Sequence, residues 1–204
     1  MGNLLRNERI LEKPYHMSYP FVFELDNAYY MIPETGSNKT IELYKCVDFP
    51  SKWSFVTNLM EKISARDTTI FFYQKKWWLF TSINESLNSP NHDELFLFYS
   101  NDLFSTKWIP HPENPVVSDM KSARPAGKIF IKDNKIYRPS QDCSGRYGIA
   151  FSLCQIVTLT ETEYKEIQIS KVEAKWESKI KGIHTFNFDQ NITVIDALKY
   201  QKRF

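Results

Sequence analysis

Short apolar runs broken by polar turns recur along this chain in one arrangement. Four times, at intervals of roughly fifty to sixty residues, a polar signpost leads into an apolar run, a polar turn follows, and a second apolar run closes the unit. The first copy is Ser18-Tyr19-Pro20-Phe21-Val22-Phe23, the turn Leu25-Asp26-Asn27, then Tyr29-Tyr30-Met31-Ile32. The second is Asp67-Thr68-Thr69-Ile70-Phe71-Phe72, the turn Gln74-Lys75-Lys76, then Trp77-Trp78-Leu79-Phe80. The third runs from Arg124-Pro125-Ala126-Gly127 through Lys128-Ile129-Phe130-Ile131 to the turn Lys132-Asp133-Asn134-Lys135 and Ile136-Tyr137. The fourth is His184-Thr185-Phe186-Asn187-Phe188, the turn Asp189-Gln190-Asn191, then Ile192-Thr193-Val194-Ile195. Hairpins repeated at this length predict radially stacked sheets, a β-propeller.

The repeat continues past each hairpin. Ile41-Glu42-Leu43-Tyr44-Lys45-Cys46 is followed by Asp48-Phe49-Pro50 and Trp53. Phe96-Leu97-Phe98-Tyr99-Ser100 is followed by Asp102-Leu103-Phe104 and Trp108. Ile149-Ala150-Phe151-Ser152-Leu153-Cys154 leads to Leu159-Thr160 and Tyr164. A third strand, a corner and an aromatic opening a fourth strand describe a four-stranded blade, with the aromatic packed between blades. The predicted fold is all-β, a propeller of four-stranded blades with four repeat units, over about 13–65, 66–121, 122–181 and 182–204. Residues 8–12 are expected to add a fourth, outermost strand that helps to close the ring. Helical signals are thin: residues 58–64 could make a turn or two, and 171–181 reads as a loop or short helix. Residues 84–93 read as a surface loop.

Composition narrows the classes. The chain has 204 residues, enough for one large core, and its 15% aromatic content suits wide sheet interfaces. No stretch approaches the roughly eighteen to twenty apolar residues of a membrane span. Residues 1–9 lack the apolar core of a signal peptide, so a cytoplasmic location is expected. Three cysteines, Cys46, Cys143 and Cys154, lack metal-type spacing and fit free thiols in a reducing compartment. A formal charge of +2 with interspersed signs argues against nucleic acid as a partner. With six glycines there is no phosphate-binding loop, and neither a metal nor a cofactor is expected. His92 and His111 fall in polar loops and are expected to be exposed. Lys199, Lys202 and Arg203 make a short basic tail, expected to be solvated.

Several motifs taken in order resemble a known family. Tyr15-His16-Met17-Ser18-Tyr19-Pro20-Phe21, Tyr30-Met31-Ile32-Pro33-Glu34, Asp48-Phe49-Pro50 with Trp53, and Trp77-Trp78-Leu79-Phe80 look like the amino-terminal domain of plant glucosamine inositolphosphorylceramide transferases. Similar domains occur in bacterial proteins, some beside formyltransferase-like modules. Ala123-Arg124-Pro125-Ala126-Gly127, Arg138-Pro139-Ser140-Gln141-Asp142-Cys143 and Ile183-His184 continue the likeness, which runs from about residue 10 to 189. That family in turn resembles five-bladed furanosidase-type propellers, in which carboxylates from successive inner strands form the active site. Relatives carry a further blade upstream of the first copy here. The resemblance therefore implies a five-bladed family lacking its first blade, without a counterpart of the hydrolase base. An open ring of that kind is expected to give a homodimer or a weakly soluble, marginal monomer; the alternative is that four blades close the ring.

Residues at the entrance of the inner strands should converge on the propeller axis. These are His16 and Ser18 in the first copy, Asp67 in the second, Arg124 in the third and His184 in the fourth. Glu34, Gln141 and Asp142 end second strands and point to the same face, and Tyr147 offers a ring for a sugar to stack on. Asp67 could equally cap a turn and pair with Arg124 as a structural salt bridge. Glycosidic cleavage needs two carboxyls about 5–5.5 Å or 6.5–9.5 Å apart, and Asp67 with Glu34 or Asp142 is the best pair available. The leading expectation is a module that binds a sugar, a nucleotide sugar or a glycan in a polar axial pocket during glycan synthesis or modification. The alternatives are a glycosidase or sugar transferase using those carboxyls, and a scaffold for a partner enzyme of glycan synthesis.

Overall fold

The computed structural model describes residues 8–83, 93–189 and 192–200. The first blade is an antiparallel sheet of β1 (Ser18–Leu25), β2 (Ala28–Thr35), β3 (Thr40–Asp48) and β4 (Lys52–Glu61), paired in chain order. The second orders β5 (Ala65–Tyr73), β6 (Lys76–Ile83) and β7 (Glu94–Ser100), with β8 (Ile109–Pro110) and β9 (Val117–Ser118) sharing the outer edge of β7. Its fourth strand is thus split in two. The third blade is β10 (Phe130–Lys132), β11 (Lys135–Asp142), β12 (Ala150–Leu159) and β13 (Tyr164–Glu173). Two small ladders follow: β14 (Ile180–Gly182) pairs with β17 (Leu198–Lys199), and β15 (Phe186–Asp189) pairs with β16 (Ile192–Ile195). The only helix among the described residues is a 3-10 turn, Gly36–Asn38.

Each predicted inner hairpin forms, with turns tighter than the sequence suggests. The ladders close at Leu25↔Ala28, Tyr73↔Lys76 and Lys132↔Lys135, leaving two-residue loops. Asp26, Asn27, Gln74, Lys75, Asp133 and Asn134 all take positive φ there. Two successive left-handed residues give the turn whose twist matches that of the flanking strands.

The middle blade explains its own unbroken apolar runs. In β6, Trp77 and Leu79 pack toward the first blade, while Trp78 and Phe80 pack toward the third. In β7, Phe96 and Phe98 join the first interface, and Leu95 and Leu97 join the second. A sheet buried on both faces needs apolar residues at every position rather than alternate ones. Trp108 and Tyr164 sit in these interfaces as expected. Trp53 instead closes its own corner, its indole donating to Pro50 O at 2.8 Å, a bond that Trp108 repeats to Ser105 O at 2.9 Å.

The amino-terminal segment departs from expectation. Residues 8–12 do not form an outer strand, and no ladder joins them to β16 among the described residues. The segment crosses the first blade's outward face instead. Tyr15 Oη donates to Glu42 Oε1 at 2.7 Å, and Lys13 Nζ lies 5.7 Å from the Tyr44 ring centroid. A chain held on a sheet face by such contacts is not available to its edge. Residues 58–61 complete β4 rather than starting a helix, and residues 171–173 complete β13 before a bend leads to β14. His111 is buried, with Nε2 3.1 Å from Thr160 O and Nδ1 accepting from Glu113 N at 3.2 Å. It bridges the corners of two blades, a long-range role its polar neighbours do not reveal. His92 and most of the loop expected at 84–93 lie outside the described residues.

The hairpin β15–β16 docks on the third blade through a close backbone approach. Phe186 N donates to Ala126 O at 2.7 Å, and Lys128 N donates to Asn187 Oδ1 at 3.1 Å. Gly127 lies between these bonds with φ 144°, and a Cβ on it would sit 2.0 Å from Phe186 O. Only glycine fits that conformation and that space. Gly127→Ala is expected to lower stability by about 2 kcal/mol or more in urea denaturation, since strained backbone alone costs about 1–3 kcal/mol. A loss under about 0.5 kcal/mol would show that this contact does not hold the hairpin.

Candidate functional site

The inner strands of the first two blades are bulged at the same place. Register shifts occur between Ser18 and Phe21 and between Arg66 and Thr69, with Tyr19 at φ 44° and Asp67 at φ 49°. A bulge re-aims the side chain it carries. In the second blade it directs Asp67 to the axis; in the first, the equivalent residue is Tyr19, whose hydroxyl lies 3.0 Å from Thr69 Oγ1. Burial pushes the Tyr19 phenol well above its ordinary pKa, with Asp67 adding to the rise. The first-copy counterpart of Asp67 is therefore neither His16 nor Ser18. His16 is exposed on the chain entering β1, and Ser18 stands opposite Glu34 in the ladder.

Glu34 reaches the same point from the end of β2. Two residues on, Gly36 passes so close to the second blade that a Cβ would lie 2.3 Å from Ala65 O. This approach brings Glu34 Oε1 within 2.7 Å of an Arg66 amino nitrogen and its Oε2 within 3.4 Å of Asp67 N. Arg124, from the segment before β10, completes the cluster. Its Nε donates to Asp67 Oδ2 at 2.6 Å, and another guanidinium nitrogen lies 3.8 Å from Glu34 Oε2. Gln141, at the end of β11, donates from Nε2 to Asp67 Oδ2 at 2.7 Å and to Pro125 O at 2.8 Å. Three blades thus meet at one ionic floor, in which Asp67, Glu34 and Arg124 are 3%, 5% and 7% exposed.

Above that floor the ring of Tyr147, 48% exposed, covers Arg124, with the guanidinium carbon 4.9 Å from the ring centroid. His184 meets the Tyr147 ring edge-on at 5.1 Å and is paired through Nδ1 with Asp196. Asp196 also accepts from His184 N at 2.9 Å and Thr185 N at 2.7 Å. Burial works against the Asp196 charge, but these donors hold its carboxyl far below the usual range. Asp142 does not join the cluster. It faces Lys171 Nζ at 2.5 Å and accepts from Ser144 N and Oγ at 2.9 and 2.7 Å. Next to Gln141 along a strand, it projects to the opposite side.

Sequence reading missed two supports. Arg138, fully buried, forms a two-point pair with Glu166 at 2.8 and 2.6 Å and donates to Ser122 O and Ala123 O at 2.6 and 3.3 Å. Those carbonyls immediately precede Arg124, so this guanidinium fixes the segment that delivers it. Glu42, buried on the first blade, accepts from Tyr15, Tyr44, Thr40 and Asn38. Burial raises its pKa, and the four donors together bring it below the ordinary value. Charge inside an otherwise apolar strand was the available signal for both.

An open cavity of about 680 Å³ lies between β1 and the hairpin β15–β16. Tyr19, Tyr29 and Glu24 line one side, and Lys128, Thr185, Asn187 and Phe188 the other. Ile192 and Val194, exposed along β16, also face it. Among the described residues no cluster of His, Cys, Asp and Glu could hold a metal ion, and no helix is long and apolar enough to cross a membrane.

The Asp67 carboxyl is pushed up to about 6: burial raises it most, Arg124 pulls it down, and Glu34 adds to the rise. Its ordinary value is near 3.8. Between about pH 4 and pH 6 the folded protein therefore retains a proton that the unfolded chain has released, so stability falls as pH rises through that window. Asp67→Asn cannot titrate there. The stability of the wild type relative to Asp67→Asn should decline from about pH 4 to pH 6 in urea titrations. A difference that rises with pH would mean that the arginine, not burial, dominates.

The family described as glucosamine inositolphosphorylceramide transferase 1, N-terminal, matches residues 8–201. The glucosamine inositolphosphorylceramide transferase 1 of Oryza sativa subsp. japonica is 38% identical over 162 residues, 78% of this chain and 22% of that protein. The Arabidopsis thaliana protein of the same name is 30% identical over 184 residues, 88% of this chain and 24% of that protein. The chain thus spans less than a quarter of the length of either. Among solved structures, an exo-β-1,3-galactanase from Phanerochaete chrysosporium aligns with a TM-score of 0.62 at 12% identity, over 92% of this chain and 44% of that one. A thermostable family-43 glycoside hydrolase aligns with a TM-score of 0.58 at 12% identity, over 91% and 64%. At such identity the likeness shows the fold, that of the five-bladed family-43 propellers. By its sequence, the chain belongs to the family of the amino-terminal domain of glucosamine inositolphosphorylceramide transferase 1.

Proposed function

We propose that this domain binds a carbohydrate at the axial end of its inner strands, in the service of glycan synthesis or modification. The observation that carries the reading is the half-exposed Tyr147 ring above a buried, internally balanced ionic floor. Two carboxylates, Glu34 and Asp67, face two guanidinium groups, Arg66 and Arg124. A balanced set of fixed donors and acceptors suits a neutral polyhydroxylated ligand better than an ion. An aromatic face beside such groups supplies the apolar contact that the carbon face of a sugar requires. Ser18, Arg66 and His184, all part-exposed, make the rim. The family relationship, through proteins named for a glucosamine transfer, supports the same ligand class.

A glycosidase or transferase acting through Asp67 and Glu34 is the second reading, favoured by the raised Asp67 carboxyl. Against it, both carboxylates lie beneath the surface and are each paired with an arginine, and Asp142 is engaged elsewhere. The two readings separate in one experiment, a glycan and sugar-nucleotide array followed by titration of the hits. Tyr147→Ala should weaken binding about tenfold or more, matching roughly 1.4 kcal/mol, while leaving the fold intact. Turnover of a bound glycan, abolished by Asp67→Asn with binding retained, would favour the enzyme instead. Array binding that survives both Tyr147→Ala and Arg124→Ala would remove the axial site from consideration.

A further inference from the structure

The axial site uses Tyr147 and His184 but leaves unexplained the cations beside them. Arg146, Lys181, Leu198, Lys199 and Tyr200 line a second cavity of about 430 Å³. Each cation is anchored. Arg146 donates to the Lys181 backbone carbonyl, Lys181 Nζ donates to Ser178 O at 3.2 Å, and Lys199 Nζ pairs with Glu177 at 2.5 Å. Among the described residues, one carboxylate therefore stands against three cations. The axial floor is balanced; this cavity is net positive.

The two sites are joined through the backbone. Arg146 and Tyr147 are consecutive, so their Cα atoms lie about 3.8 Å apart. A Cβ on Gly182 would fall 2.2 Å from Gly148 O, and one on Gly148 would fall 3.1 Å from His184 Cβ. Gly148 also takes φ 66°, which favours glycine. The segment carrying Arg146 and Tyr147 is thus packed directly on the segment carrying Lys181 and His184. The Tyr147 ring and the basic cavity are thus carried by the same two packed segments.

We infer that the ligand is a phosphorylated sugar, its phosphate or diphosphate ester held by Arg146, Lys181 and Lys199. A guanidinium matches the spacing of phosphate oxygens in two-point contact, and lysine supplies compact charge beside it. This inference rests on the carbohydrate reading, but its phosphate half can be read separately. Calorimetric titrations with inorganic diphosphate, a hexose 1-phosphate and the free hexose would be run on the wild type, Arg146→Gln and Lys199→Glu. Circular dichroism would verify that the variants fold; Lys199→Glu does not touch the backbone contact that Arg146 makes.

Diphosphate should bind the wild type, weaken with added salt, and lose tenfold or more in each variant. The hexose 1-phosphate should bind at least tenfold tighter than the free hexose, with that advantage lost in the variants. A vesicle-borne headgroup shares this chemistry. Co-sedimentation with phosphatidylinositol vesicles, lost in the same variants, would assign the site to the lipid-borne ester; its absence alongside hexose 1-phosphate binding would assign it to the soluble one. Diphosphate binding that the variants abolish, with no hexose bound in any form, leaves an anion site alone and overturns both the carbohydrate reading and the phosphorylated sugar inferred here. Diphosphate binding equal in wild type and variants, or none at all, overturns the inference, even where the free hexose binds.

Discussion

The Arg124 guanidinium is the point on which the inner architecture depends. It comes from the third blade, bonds Asp67 of the second and lies against Glu34 of the first, while Gln141 returns from the third blade to the same Asp67 oxygen. Buried charges survive folding only when paired and hydrogen-bonded, and removing one partner from such a pair costs about 3–5 kcal/mol. The penalty makes the arrangement specific. The apolar interfaces tolerate a slide of one sheet against the next better than this cluster does, because any slide strands a charge. Burial, the largest influence on Arg124, disfavours its charge, but Asp67, Tyr147 and Glu34 outweigh it and raise its pKa.

Local backbone features bring these side chains together. The bulge at Asp67 turns an axial carboxylate out of a strand whose other residues serve the two interfaces. Gly36 allows the end of β2 to lie on the Ala65 carbonyl. Arg138 and Glu166 pin the carbonyls of Ser122 and Ala123, one and two residues ahead of Arg124. Arg138 is raised in pKa despite complete burial, because Glu166 and Tyr164 answer its charge. The polar axis is therefore built in two layers, a floor and the clamp that delivers it, and β11 contributes to both through Gln141 and Arg138.

Hairpins and blade order were legible in the sequence because they follow from local periodicity and turn composition. Trp77-Trp78-Leu79-Phe80 announces a buried strand, and Asp26-Asn27 and Asp133-Asn134 mark where the turns fall, though not that they are only two residues long. The convergence of Asp67, Arg124, Glu34 and Gln141 was also readable, since repeats bring equivalent positions to one axis. Parity was harder. Gln141 and Asp142 are adjacent, and nothing local says which one faces the axis. Bulges hide in the same way: the equivalence of Tyr19 with Asp67 depends on a one-residue register shift. The path of residues 8–17, the burial of His111 and the pairing of His184 with Asp196 depend on contacts distant in sequence. None of these carries a periodic signature.

A double-mutant cycle across Arg124 and Asp67 tests the account most directly, using urea stabilities of the wild type, Arg124→Ala, Asp67→Ala and the double variant. If this pair is what locks the second and third blades together at the axis, the coupling energy should reach about 2 kcal/mol or more, the upper part of the range for contacting residues. Single losses that add to within about 0.5 kcal/mol would contradict it, leaving the propeller held by its apolar interfaces alone.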